Sequence, residues 1–362
     1  MSAKVEASIR QALSKVLDPE LKIDLVTAGM VKTVSVGSGS SEVEIELTTP
    51  ACPLKDQIES EVRQALSTVD GLGELDLRFS ARVRSAAPLA QDVPGIRNAV
   101  VVASGKGGVG KSTVAVNLAV ALAAEGAKVG LLDADITGPS VAKMLDLEAA
   151  TPRSKGGKLL PLKWSSGKLS LSVMSMAFFV EDAQAVMWRG PMLHKALQQF
   201  LQDVDWGEID YLLIDSPPGT GDVQISLSQI LPISGAVVVT TPQDVALLDV
   251  RRAVSLLEKV KIPVMGVVEN MASFVCKDCG SEHHPFGQGG GQRQADDLDV
   301  PLLASVPLEL GVRIGGDDGN PVVAGGSGPA ADALAAAARS LAGRLSLMAQ
   351  KNPFARELPV VK

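Results

Sequence analysis

Aromatic side chains make up only 3% of this 362-residue chain, which leaves no stacking platform for single-stranded nucleic acid. Positive charge is not in surplus either. The 34 Lys and Arg stand against 41 Asp and Glu, and a formal net charge of −7 disfavours nonspecific binding to DNA or to an anionic membrane. Three cysteines are too few for a disulfide scaffold. No apolar run approaches the roughly 20 uncharged residues that a membrane span needs. The first residues, Met-Ser-Ala-Lys-Val-Glu, lack the apolar core of a secretory signal. These absences predict a cytoplasmic, mainly α/β protein in a reducing compartment, with no nucleic-acid or membrane partner. Its length leaves room for two or three domains.

Hydrophobic period divides the chain. Val5, Ile9, Ala12, Leu13, Val16 and Leu17 recur at helical spacing, and Asp18-Pro19 ends that run. Glu42-Val43-Glu44-Ile45-Glu46-Leu47 alternates as a strand with one wet face. Leu54, Ile58, Val62, Ala65, Leu66 and Val69 return to the helical period, and a last strand fits 75–83. Residues 1–83 therefore read as a small α+β domain of order α-β-β-α-β. Residues 84–97 lack period, contain two prolines and read as a linker. From 98 to 362 apolar strands alternate with helices, which predicts a mostly parallel sheet covered on both faces. Strands are expected at 99–103, 128–132, 169–174, 210–214, 235–240, 263–268 and 301–305, and helices at 112–124, 191–202, 245–259 and 328–348. Gly- and Lys-rich 153–168 predict a mobile excursion.

The chemistry concentrates in Gly105-Lys106-Gly107-Gly108-Val109-Gly110-Lys111-Ser112-Thr113, which fits the phosphate-loop pattern GxxxxGK[ST]. A β-branched run precedes it and a breaker-free helical run follows. Glycines let backbone N–H groups close around phosphate oxygens, and the helix N-terminus adds its positive dipole end. Lys111 would reach the β- and γ-phosphates, and the Ser112 hydroxyl would hold Mg²⁺. Leu131-Leu132-Asp133-Ala134-Asp135 ends a strand with two acids expected to point together towards the phosphates. Tyr211-Leu212-Leu213-Ile214-Asp215 has the Walker B form, which places Asp215 near Mg²⁺. Ser216-Pro217-Pro218-Gly219-Thr220-Gly221-Asp222 follows as a shaped loop suited to sensing a γ-phosphate.

Cys276-Lys277-Asp278-Cys279-Gly280 aims two thiolates at one metal. A tetrahedral site needs four ligands, so two completions stand open. Either His283 or His284 closes a local zinc knuckle, or the same pair on a second copy completes a bridged site. Thiolates suit an iron–sulfur cluster as well as zinc. An unligated or redox-active pair is the plain alternative. Cys52 precedes Pro53, which suits a first helical turn, so a thiol beside a helix N-cap is expected there.

The early lysine, Lys106, resembles the deviant Walker A of the ParA/MinD/nitrogenase-iron-protein superfamily. That resemblance implies a nucleotide-sandwich homodimer in which Lys106 reaches the nucleotide of the second copy. It also implies that Asp135 orients the hydrolytic water, that Asp133 supports Mg²⁺, and that Asn270 reads the purine edge of ATP. In order along the chain come the phosphate loop, Leu132-Asp133-Ala134-Asp135-Ile136-Thr137-Gly138-Pro139-Ser140, Trp188-Arg189-Gly190-Pro191-Met192, the Asp215 loop, the CxxC and Pro285-Phe286-Gly287. Together these look like the Mrp/ApbC family of iron–sulfur cluster carrier ATPases. The first 83 residues, with Asp18-Pro19-Glu20 and Thr48-Thr49-Pro50-Ala51-Cys52-Pro53, are similar to the DUF59 domain fused to that family. The resemblance implies ATP-dependent loading or transfer of a 4Fe–4S cluster held by Cys276 and Cys279, with a cluster-assembly scaffold and apo iron–sulfur proteins as partners. A ParA/MinD-like positioning ATPase without a cluster is the competing class, and a zinc-stabilised metallochaperone GTPase is a third.

Overall fold

The computed structural model describes residues 2–19, 21–90, 93–135, 138–179, 190–219, 221–276 and 278–351. Glu20, Ile136, Thr137, Trp188, Arg189, Thr220 and Lys277, all parts of the motifs above, lie outside the described residues.

The first unit has the expected order: α1 (Ser2–Leu13), β1 (Val31–Val36), β2 (Ser40–Leu47), α2 (Lys55–Leu66) and β3 (Glu74–Ala81). β2 lies in the middle, antiparallel to β1 and parallel to β3. Its alternation buries Val43, Ile45 and Leu47 and leaves Glu42, Glu44 and Glu46 on the wetter face. Ile9 and Leu13 of α1 and Ile58, Val62 and Leu66 of α2 complete that core. α1 stops at Leu13 rather than Leu17, because Leu17 turns away to bridge Asp24.

β4 (Ile96–Ser104) opens the larger unit and leads into α3 (Lys111–Ala124). Next come β5 (Val129–Asp133), the short α4 (Val141–Met144), a ribbon of β6 (Ser154–Lys155) and β7 (Lys158–Leu159), then β8 (Leu162–Ser166) and β9 (Leu169–Ser175). They are followed by α5 (Gly190–Gln202), β10 (Ile209–Asp215), α6 (Asp222–Ile230), β11 (Gly235–Thr240), α7 (Asp244–Lys259) and β12 (Val264–Asn270). A second ribbon, β13 (Phe274–Val275) with β14 (Glu282–His283), precedes α8 (Gly290–Asp297) and β15 (Leu302–Val306). α9 (Leu310–Asp317), α10 (Val322–Gly325) and α11 (Pro329–Lys351) end the described chain.

One sheet runs in the order β15-β12-β11-β4-β10-β5-β9-β8, parallel except for β8. Val100 and Val102 of β4 pack with α3 and α11, while Val101 and Ala103 pack with α5, α6 and α7. Strands buried on both faces read as continuous apolar runs, which is why they were legible. α3 is apolar on nearly every side and is buried accordingly, from Lys111 to Leu122 with two partly exposed positions. No described helix is long and apolar enough to cross a membrane.

One expectation changes. The stretch 153–168 is not a plain excursion, since it carries the β6/β7 ribbon and the edge strand β8. Trp164 is the reason: it is buried against the core while Lys163 and Ser165 point outward. The start of the linker stretch 84–97 is fastened to β4. Asn98 accepts the Ala86 N–H at 2.9 Å and donates to the Arg84 carbonyl at 3.0 Å, and β4 already begins at Ile96. The smaller unit rests on the N-terminal end of the large sheet, where buried Thr49 Oγ1 and Tyr211 Oη pair at 2.9 Å.

Candidate functional site

The phosphate loop sits between the end of β4 and the start of α3, at the carboxyl edge of the sheet where such folds bind ligands. Gly110 caps α3 in a left-handed conformation (φ 80°), and a Cβ there would fall 2.2 Å from Asn270 Nδ2. At Gly105 a Cβ would fall 2.3 Å from the Asp249 carbonyl carbon, so α7 also presses directly on the loop. Gly107 and Gly108 lie exposed at its crest.

Lys111 is buried, and its Nζ gathers the expected acids. It bonds Asp215 Oδ1 at 2.5 Å, lies 3.7 Å from Asp135 Oδ2, and reaches Ser112 Oγ at 3.2 Å. Burial pushes the Asp215 carboxyl up from its ordinary value, and Lys111 pulls the other way. Asp215 Oδ2 is buried without a hydrogen-bond partner among the described residues. An orphaned carboxylate oxygen close to a serine hydroxyl matches the hard oxygen ligands that Mg²⁺ prefers, so these residues fit that ion.

Asp133 departs from expectation. Its Oδ1 accepts the Asp135 N–H at 3.1 Å, and its Oδ2 accepts the Val141 N–H at 3.2 Å and the Ser175 hydroxyl at 2.9 Å. Burial, then the charge on Asp215, pushes its carboxyl up to about 7 against those donors. Asp133 is the last residue of β5, so the alternation of a strand does not extend to Asp135. The two acids have different partners: Asp133 accepts the Asp135 and Val141 N–H groups and the Ser175 hydroxyl, and Asp135 lies 3.7 Å from Lys111 Nζ.

The loop after Asp215 is strapped to β4. Ser216 Oγ donates to the Val102 carbonyl at 2.9 Å, and the Gly219 N–H donates to the Ser104 carbonyl at 2.9 Å. Asn270 ends β12 beside the phosphate loop and donates from Nδ2 to the Val109 carbonyl at 2.9 Å. Lys106 is half-buried, with Nζ 3.3 Å from Gln243 Oε1 within its own chain.

Cys276 and Cys279 sit at the tip of the β13/β14 ribbon. The Cys276 N–H bonds the Ser281 carbonyl at 2.9 Å, and the Gly280 N–H (φ 70°) bonds the Cys276 carbonyl at 2.9 Å. Cys279 is exposed, and Cys276 partly so. The Ser281 hydroxyl, 3.3 Å from Cys279 Sγ, is the first of several groups that hold the Cys279 thiol below its ordinary value. His284 Nδ1 lies 3.1 Å from the Ala272 carbonyl oxygen, and His283 pairs across the ribbon with Phe274. Among the described residues no group of three or more His, Cys, Asp or Glu gathers as a metal site.

Cys52 is not beside an N-cap. α2 starts at Lys55 with Leu54 as its cap residue, and Cys52 is buried in the core of the first unit. The strip that carries it docks at the N-terminal end of β10 through Thr49, whereas the cysteine pair follows the carboxyl end of β12. A strand advances about 3.3 Å per residue, so the length of the sheet separates them. Sequence reasoning missed Ser175, Gln243 and the Thr49–Tyr211 pair. None of these carries a local signal, because each acts on a residue distant in sequence.

Comparison with known proteins adds the following. Residues 95–342 match the family model described as NUBPL iron-transfer P-loop NTPase, and residues 6–75 match that described as iron–sulfur cluster assembly protein. The iron–sulfur cluster carrier protein of Deinococcus radiodurans is 48% identical over 356 residues, covering 98% of this chain and 99% of that one. The protein of the same description from Escherichia coli K12 is 40% identical over 321 residues, covering 88% and 86%. Among solved structures, a nucleotide-binding protein of Archaeoglobus fulgidus in complex with ADP is 37% identical. It has a TM-score of 0.56 and covers 63% of this chain and 89% of that one.

Proposed function

Because the chain belongs to the NUBPL iron-transfer P-loop NTPase family, we propose that it is an ATP-driven carrier that loads a 4Fe–4S cluster and passes it to apo-proteins. What carries this reading is one arrangement: a complete phosphate loop and an accessible cysteine pair, lacking a third ligand among the described residues, lie at the same edge of one sheet. Two copies would supply four thiolates, the number that a 4Fe–4S cargo takes. A reducing compartment such as the cytoplasm suits thiols that must stay reduced, and the proposed partners are a cluster-assembly scaffold upstream and apo iron–sulfur proteins downstream. In this reading residues 1–83 are a DUF59-like α+β domain, 84–97 a linker and 98–362 the P-loop ATPase domain that carries the CxxC site.

The ATP phosphates lie in the backbone of 105–113, and Lys111 Nζ exchanges its Asp215 partner for β- and γ-phosphate oxygens. Ser112 Oγ and Asp215 would hold Mg²⁺, which when bound would neutralise charge on those phosphates. Asp135 orients a water. As the water oxygen bonds to the γ-phosphorus, the bond to the β–γ bridging oxygen breaks, ADP keeps that electron pair, and the water proton leaves on inorganic phosphate. Asn270 contacts the adenine edge. Lys106 swings from Gln243 to the nucleotide of a second copy and closes the homodimer around the cluster.

Anaerobic reconstitution with iron and sulfide tests this reading on the native chain, Cys276→Ala and Cys279→Ala. The expected result is about four iron and four sulfide per dimer, lost in both variants. Zinc at one per monomer, or iron indifferent to both substitutions, overturns it and returns the chain to the positioning-ATPase class.

A further inference from the structure

Glu269 is a buried carboxylate with no part in the nucleotide chemistry above, one residue before the end of β12. Its Oε1 accepts the Gly291 N–H at 2.7 Å, and its Oε2 accepts the Ser305 hydroxyl at 3.0 Å. The first bond spans the root of the cysteine ribbon. The chain leaves the sheet after β12, carries Cys276 and Cys279, and returns at the start of α8. Glu269 therefore ties the outgoing foot of that excursion to its returning foot. One flank is fastened as well, where the Ala272 N–H bonds the Val306 carbonyl at 2.9 Å and the Leu308 N–H bonds the Ser273 carbonyl at 2.6 Å.

Both feet also touch neighbours of the phosphate loop. On the outgoing side Asn270, adjacent to Glu269, holds the Val109 carbonyl at 2.9 Å. On the returning side a Cβ at Gly290 would fall 2.2 Å from the Pro242 carbonyl oxygen, and one at Gly291 would fall 2.5 Å from Glu269 Cβ. The start of α8 is thus wedged against Pro242 and Glu269 with no room for a methyl group. Pro242 precedes Gln243, the residue that Lys106 contacts at 3.3 Å. Two separate lines of contact leave the phosphate loop, one from Val109 and one from Lys106. They meet at Gly290 and Gly291.

We infer that Gly290 and Gly291 form the junction through which nucleotide occupancy is passed to the Cys276/Cys279 ribbon, with Glu269 as the positioning residue that holds the junction closed. This rests on the proposed function and names how its cargo site is regulated. Phosphate entering the loop redirects its backbone N–H groups, and Lys106 leaving Gln243 frees the other line. Each movement shifts one wall of the wedge. Because interiors are close-packed, the glycine pair must follow.

The test uses the full chain without metal, so its outcome is independent of what the cysteines carry. Iodoacetamide alkylation of Cys276 and Cys279 is timed by mass spectrometry with Mg-ADP and with a non-hydrolysable ATP analogue plus Mg²⁺. In the native chain the two rates differ about five-fold or more, the lower end of ordinary site-to-site coupling. In Glu269→Ala the difference disappears while nucleotide affinity stays as in the native chain. Glu269→Gln keeps an acceptor for the Gly291 N–H and retains the difference. Hydrogen exchange on the native chain gives a second reading: the amides of 274–276, 278–284 and Gly291 change protection between the two nucleotides. Equal alkylation rates in the native chain, or a full nucleotide response in Glu269→Ala, overturn the inference. If Glu269→Ala does not fold, unchanged exchange at those amides overturns it instead. Failure of iron binding in the reconstitution experiment strikes the cargo reading alone.

Discussion

Removing one hydroxyl from the contact between the two units should cost measurable stability, and the two sides of the contact should cost different amounts. Thr49 and Tyr211 are each 1% exposed, and their hydroxyls meet at 2.9 Å. Thr49 Oγ1 also accepts the Ala51 N–H at 3.2 Å. Tyr211→Phe therefore removes one neutral hydrogen bond, worth about 1 kcal/mol net. Thr49→Val keeps the shape but orphans two buried groups, the Tyr211 hydroxyl and the Ala51 N–H. At about 1–3 kcal/mol for each unsatisfied group, it should cost at least twice as much. Once Tyr211 is Phe, Thr49→Val has only the Ala51 N–H left to orphan, so the double variant should fall short of the sum by the cost of the orphaned Tyr211 hydroxyl, about 1–3 kcal/mol. Urea unfolding followed by tryptophan fluorescence reads the larger unit, since Trp164, Trp188 and Trp206 all lie in it. Strict additivity, or Tyr211→Phe costing more than Thr49→Val, would refute the claim that these hydroxyls join the units.

Lys111→Met removes the ammonium that bonds Asp215, lies 3.7 Å from Asp135 and is proposed to reach the phosphates, and phosphate release should fall at least about 100-fold. Lys106→Ala deletes only a half-buried contact to Gln243, so folding stability should move by less than about 0.5 kcal/mol. Light scattering should nonetheless show that this variant no longer dimerises with ATP, and a native-like ATP-dependent dimer would contradict the role given to Lys106. In the metal-free chain iodoacetamide should modify Cys279 first, because it is exposed and its thiol is held below the ordinary value, and Cys52 only after unfolding. The sign follows from the thiolate being the nucleophile. The advantage of Cys279 should be widest below the ordinary thiol pKa and shrink as pH rises through it, as peptide mass mapping across pH would show.

The parts of the site that were legible in the sequence are those whose chemistry fixes residue types at consecutive positions. Binding phosphate requires glycines, a lysine and a hydroxyl in one turn, so 105–113 could be read directly. Asp215 was readable because it ends an apolar strand. Cys276 and Cys279 were readable because a two-residue spacing has few other uses. β2 was readable from its strict alternation, whereas β8 was not, because only Leu162 and Trp164 mark its inner face within a polar stretch. α6, α8, α9 and α10 are too short to display a helical period. The separate fates of Asp133 and Asp135 depended on where β5 stops, and boundaries are what pattern reading fixes least well. Contacts such as Thr49 with Tyr211, or Glu269 with Gly291, exist only once the chain has folded.

Native mass spectrometry of the anaerobically reconstituted chain tests the central claim most directly. The account predicts one dominant species, two chains plus a single 4Fe–4S cluster, reverting to cluster-free chain when Cys276 or Cys279 is replaced. A metal-bearing monomer, or a dimer whose mass includes zinc and no sulfide, would contradict it.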